Sequence, residues 1–229
     1  MEEDISKTTK GDIAHSAIKA GLGSLPVIGS AASELFGFLV TPPLEKRRIN
    51  WMNDVAEKIK ELESKGEINY EELKDNDLFL DVVLQATSLA LKTSEKEKVQ
   101  AFKNVILNSA LGELTDETKI KIFLNQIDNF TTWHIKILHF IDDPQQWFSN
   151  AGITPKDYMM GSLHSVIIDA FPELKDQDAL LDIIWNDLNT AGFHRTGSLK
   201  TTMTSSGLYV SRTTDLGKEF LSFITFYDE

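Results

Sequence analysis

Cysteine is absent from the 229 residues. With it go disulfides, thiolate metal sites and cysteine nucleophiles, and a reducing compartment fits that absence. Positive charge is scarce: 23 Lys or Arg face 35 Asp or Glu, a formal net charge of −12. Such a chain repels phosphate backbones, so nucleic acid would need a local basic patch. Also missing are a phosphate-cradling glycine loop with its lysine, a G-x-S-x-G elbow and an H-E-x-x-H pair. Those patterns carry nucleotide, acyl-transfer and zinc chemistry. "GLGSLPVIG" is rich in glycine but has neither the fingerprint spacing nor a βαβ setting. The start, "MEEDISKTTK", places acids where a signal peptide needs bases, which predicts a cytoplasmic protein.

Histidine is nearly as sparse. His134 and His139 lie five apart, on different faces of a helix, and cannot clamp one metal as an i, i+4 pair does. Asp142 and Asp143 follow at a helix end, where acids oppose the dipole. A solvated turn before Pro144 accounts for them, with ligand binding as the alternative. Trp51, Trp133, Trp147 and Trp185 are dispersed and read as core anchors. The expectation is a protein that is no enzyme and uses no cofactor and no metal.

What is present is helix, in a chain that is 41% hydrophobic and 25% charged and so able to bury a core. "PLEKRRINWMNDVAEKIKELESK" (43–65) starts at a first-turn proline and stops before Gly66. Leu44, Ile49, Trp51, Met52, Val55, Ile59 and Leu62 form its apolar stripe. Residues 76–93 predict a more buried helix. "SEKEKVQAFKNVILNSALG" opens with a Ser94/Glu97 capping-box spacing and stops at Gly112. "TDETKIKIFLNQIDNF" and "TTWHIKILHFIDD" each open on threonines suited to capping. "DPQQWFSNAG" is a short turn or helical piece. Further on, "TPKDYMMGSLHSVIIDAFP" and "DQDALLDIIWNDLNTAGF" read as helices, the second stopping at Gly192. "HRTGSLKTTMTSSGLYVSRTT" is the one credible β region, an expected hairpin, and "DLGKEFLSFITF" closes the pattern.

The run "LNTAGF … GLYVSRTTDLGKEFL" resembles the corresponding part of winged-helix regulators, over roughly residues 154–226. There a helix ends at glycine, a ribbon forms the wing, and a T-x-x-G turn starts the next helix. That resemblance implies DNA contact through Arg195, Lys200 and Arg212. The charge argues otherwise: residues 154–229 hold six Lys or Arg against eleven Asp or Glu, a net of −5. The helix that would enter the major groove carries Asp176, Asp178, Asp182 and Asp187 and no base. Nucleic acid is the disfavoured partner, and a protein or a second copy of the chain is preferred.

Residues 20–40 are apolar and small. As a helix they would span about 30 Å, a bilayer core. Their nine Leu, Ile, Val and Phe favour insertion by about 3–5 kcal/mol. Glu34 removes about 3 kcal/mol of that, and Pro26 with the glycines and serines erodes the rest. A soluble hairpin packed on the bundle is preferred over a membrane-active segment. In the membrane alternative, Leu22, Val27, Ile28, Phe36 and Phe38 insert, Glu34 keeps the resting form soluble, and Lys46, Arg47 and Arg48 meet anionic headgroups at the inner membrane.

The order of parts carries a wider resemblance. A "P-V-I-G" turn precedes "TPPLEKRRINWMNDVAEKIKEL", then "LFLDVVLQATSLALKTSEKEKVQAFKNVILNSAL" and "IFLNQIDNFTTWHIKILHFIDDPQQW". The chain resembles bacterial helical proteins similar in layout to the abortive-infection alpha type family. That resemblance implies a role in defence or stress response and carries over no catalytic residue. The expected architecture is mainly α: an apolar, glycine-rich helical hairpin over 1–42, a helical bundle over 43–150, and a winged-helix-like module with one β-hairpin over 151–229.

Overall fold

The computed structural model describes residues 42–226. It is mainly helical, with eleven α-helices and one small antiparallel sheet among the described residues. The order is α1 (Pro42–Lys65), α2 (Tyr70–Leu73), α3 (Asp77–Lys92), α4 (Lys96–Ala110), α5 (Glu117–Asn129), α6 (Thr132–Asp142), α7 (Pro144–Ala151), β1 (Met160–Ser162), α8 (Leu163–Ala170), α9 (Asp178–Thr190), β2 (Thr202–Thr204), α10 (Ser205–Leu208) and α11 (Asp215–Ile224). The predicted hairpin over 1–42, with its Leu22, Val27, Ile28, Glu34, Phe36 and Phe38, lies outside the described residues. The chain divides into two compact units, Met1–Ala56 and Glu57–Glu229, with the division inside α1. In the described part of the first unit, Trp51 is buried whereas Leu44, Ile49 and Met52 are exposed.

Local chemistry starts and stops most of these helices. Asn76, Asp116, Asp143, Ser162 and Thr214 each accept a backbone N–H one or more residues into the following helix, filling donors that the first turn leaves open. The predicted stops Gly66, Gly112 and Gly192, and Gly152 at the end of α7, all adopt φ between 66° and 79°, a left-handed conformation that glycine reaches without strain. The Ser94/Glu97 box does not form. Glu95 takes the cap position instead, its N–H donating to Thr93 Oγ1 and its carboxylate accepting from the N–H and hydroxyl of Thr132 on α6. A tertiary partner has displaced the local one.

The core of the second unit is aromatic. Phe123 on α5, Phe193 after α9 and Phe220 on α11 meet edge-on or stacked with centroids 4.6–6.3 Å apart, favoured arrangements for ring quadrupoles. Another group joins Phe140 on α6, Trp147 and Phe148 on α7, and Phe171. Buried side chains cross residue 150: Asn104 donates to Ile224 O, and Asn108 donates to Phe223 O and Thr225 O.

The β region departs from the expected hairpin. Thr202–Thr204 pairs not with "GLYVSR" but with Met160–Ser162, in the register Met160↔Thr204. Between residues 194 and 214 only one bridge forms, His194↔Thr213. The backbone and side chains of "GLYVSR" are engaged elsewhere: Gly207 and Leu208 lie in α10, Tyr209 Oη donates to Lys156 O, and Arg212 N donates to Ile141 O at the end of α6. The predicted helix over 155–172 likewise begins only at Leu163. Ahead of it, Gly161 sits so close to Leu208 and Tyr158 that a Cβ would meet them at 3.2–3.3 Å, and Ser162 then caps α8.

Candidate functional site

The surface with the most distinctive chemistry is the outer face of α9. Leu181, Ile184, Trp185 and Leu188 bury its inner side at the i, i+3, i+4, i+7 spacing of an amphipathic helix. Trp185 Nε1 donates to Gly197 O at 2.8 Å, and the fully buried His194 shares a hydrogen bond between its Nε2 and Trp185 O. Those contacts fix the rotation of the helix. Its outer side then shows Leu180, 38% exposed, and Ile183, 57% exposed, among Asp182, Asn186 and Asp187. No lysine or arginine lies on α9.

The acids at the two ends of this face hold neighbouring elements. Asp178 accepts from Lys200 Nζ at 2.7 Å and pairs with His164 Nε2 at 2.9 Å. Lys200 first, then His164, keep the Asp178 carboxyl below the ordinary carboxylate range. At the other end Asp187 Oδ2 lies 3.2 Å from His134 Nε2. His134 Nδ1 accepts the Thr131 N–H at 3.1 Å, so a neutral ring carries its proton on Nε2, directed at Asp187. Burial pulls the His134 pKa down, against the opposing pull of Asp187. The ring also stacks on Phe130, with centroids 4.7 Å apart.

The three bases that the disfavoured DNA-reading alternative names have three different settings. Arg195 is exposed. Lys200 is engaged by Asp178. Arg212 is half-buried, its guanidinium donating to Gly207 O and facing Met203 Sδ. In the first unit, Lys46, Arg47 and Arg48 are exposed at the start of α1, Arg48 within 3.9 Å of Glu45.

His134 and His139 stay apart, and among the described residues no group of three or more His, Asp or Glu is placed to hold a metal ion. The expected solvated turn at Asp142 and Asp143 is half right. Asp143 caps α7 through Gln146 N at 2.9 Å, but Asp142 has a buried Oδ1 without a hydrogen-bond partner. The α9 acids were legible in the sequence. Their assignment to Lys200, His164 and His134, 14 to 53 residues away, carries no local signal.

No protein-family model, curated protein or solved structure matches this chain. Among the described residues no helix is long and apolar enough to cross a membrane.

Proposed function

We propose that the chain is a non-enzymatic interaction protein, a bacterial defence effector acting in the cytoplasm, and that α9 is its contact helix for a protein partner. The carrying observation is the outer face of α9, where Leu180 and Ile183 stand exposed among carboxylates with no base. The order β1–α8–α9–β2, with β1 paired to β2, supports reading 154–226 as a winged-helix-like module. In that reading α9 takes the place of the helix that reads a major groove. Phosphate contacts supply most non-specific DNA affinity, and a face of this sign opposes them. A DNA-binding regulator acting through Arg195, Lys200 and Arg212 is the weaker reading, because only Arg195 is both well exposed and without a described ion pair. Two leucines one turn apart on α3, Leu80 and Leu84, are exposed as well and give a second apolar strip for association.

The test is a photo-crosslinking residue placed at Ile183 in living bacteria, with one at Glu113 as control. A discrete protein adduct from position 183 alone supports the reading. Salt-sensitive DNA retention that disappears in an R195A/K200A/R212A variant overturns it in favour of the regulator.

A further inference from the structure

The sequence holds one run of three consecutive bases, Lys46, Arg47 and Arg48, and over residues 42–52 they face a single acid, Glu45. All three are exposed near the start of α1. Leu44, Ile49 and Met52 stand exposed beside them, while Trp51 is buried. Ile49 and Met52 are three residues apart, so they are neighbours along one helix face. Arg48 lies within 3.9 Å of Glu45, with both side chains well exposed. Such a surface pair stabilises little and exchanges readily for a better partner.

The outer face of α9 is the complement. Leu180 and Ile183 are exposed, again three residues apart, and α9 carries Asp178, Asp182 and Asp187 with no base. Lys200 and His164 hold Asp178, and His134 lies against Asp187, which leaves Asp182 as the acid of this face with no ion pair among the described residues. An apolar pair bordered by bases thus has its counterpart in an apolar pair bordered by acids. Copies with a net charge of −12 repel one another at a distance. At physiological ionic strength, however, exposed charges farther apart than about 8 Å are largely screened. Opposite charges brought into contact survive that screening and set the register of two surfaces.

We propose that the start of α1 in one copy docks on the outer face of α9 in a second copy, with Ile49 and Met52 against Leu180 and Ile183, and the bases at 46–48 meeting Asp182. The contact joins two different surfaces, so it is head-to-tail, and it repeats from copy to copy until a ring closes or a filament extends. It rests on the reading of α9 as a protein-binding helix and names a second copy of the chain as the occupant.

The experiment is sedimentation velocity of the full chain from about 1 to 100 μM, a range that reads micromolar association. The sedimentation coefficient of the wild type is expected to rise with concentration. A K46E/R47E/R48E variant is expected to associate at least about tenfold more weakly, because like charges then face Asp182. Ile183→Asp is expected to weaken association as much. An equimolar mixture of the two is expected to form heterodimers, since the first keeps its α9 face and the second keeps its α1 face. Restored association in the mixture also shows that both variants fold; should Ile183→Asp fail to fold, Leu180→Glu replaces it. Three outcomes overturn the proposal: a monomeric wild type throughout the range, association that survives either variant, or a mixture no more associated than its components. A monomer that floats with anionic vesicles assigns the bases to a lipid surface instead. A monomer that still yields a discrete adduct from a probe at Ile183 removes the second copy and leaves the α9 reading standing, whereas a monomer without an adduct ends both.

Discussion

Asn108 on α4 donates its side-chain amide to the carbonyl of Thr225 at 2.9 Å and to that of Phe223 at 2.8 Å. One buried amide thereby occupies carbonyls that end α11, and Asn104, one turn earlier, takes Ile224 O at 2.7 Å. A helix terminus that would otherwise be left unsatisfied is held by two side chains of another helix. Asn108→Leu, which keeps volume but removes the donor, is expected to cost about 2–3 kcal/mol, the penalty for stranding buried carbonyls. Urea unfolding measures it. An unchanged midpoint would mean that water supplies those carbonyls instead.

Gly217 is expected to resist even the smallest enlargement. A Cβ there would lie 2.6 Å from both Phe193 O and Thr213 Cγ2, in the turn where Thr214 caps α11 and its hydroxyl donates to Gly192 O. Gly217→Ala is expected to destabilise by about 1–3 kcal/mol, as overpacking does. Thermal melting of the variant checks this.

Burial holds the folded-state pKa of His134 below its ordinary value of 6.5, and shifts that of His194 the same way. The unfolded chain therefore takes up these protons first as pH falls. Stability is retained above about pH 6.5 and declines below it, until the folded rings also protonate. Urea midpoints at pH 7.5 and 5.5 are expected to differ in that sense, and His134→Gln is expected to narrow the difference. A wider difference in the variant would mean that Asp187 outweighs burial.

Ile183→Asp is expected to leave stability within about 0.5 kcal/mol, as surface changes usually do. The same substitution is expected to abolish crosslinking from a probe at Leu180. Loss of stability instead would show that Ile183 supports the fold of its own chain.

Flotation with anionic vesicles addresses Lys46, Arg47 and Arg48. If residues 20–40 engage a membrane, the full chain floats, and reversing these three charges weakens flotation as each juxtamembrane base contributes about 1 kcal/mol. If neither protein floats, the apolar stretch serves protein packing and the membrane alternative is withdrawn.

Signals confined to one turn were legible. The T-x-x-G pattern at Thr214 and Gly217 gives the start of α11 as expected, and each glycine stop lies in the left-handed region. Signals that depend on distant partners were not. The pairing of Met160–Ser162 with Thr202–Thr204 uses two short segments with no shared pattern, and "GLYVSR" looked more like strand than either. The α9 acids announced a face unsuited to DNA, but nothing near Asp178 points to His164 and Lys200. Asp142 was legible as an acid at the wrong end of a helix, whereas the burial of its Oδ1 carries no local signal.

The clamp of Asn108 on α11 joins positions 115 residues apart, and the same helix supplies Phe220 to the ring of Phe123. During synthesis at about 5–20 residues per second, that separation corresponds to about 6–23 s. Phe123 precedes Phe220 by 97 residues, so at that pace the aromatic side of α5 waits about 5–19 s for its lid. Until then those rings are apolar surface open to association between nascent chains, and slower translation across residues 110–215 would lengthen the exposure.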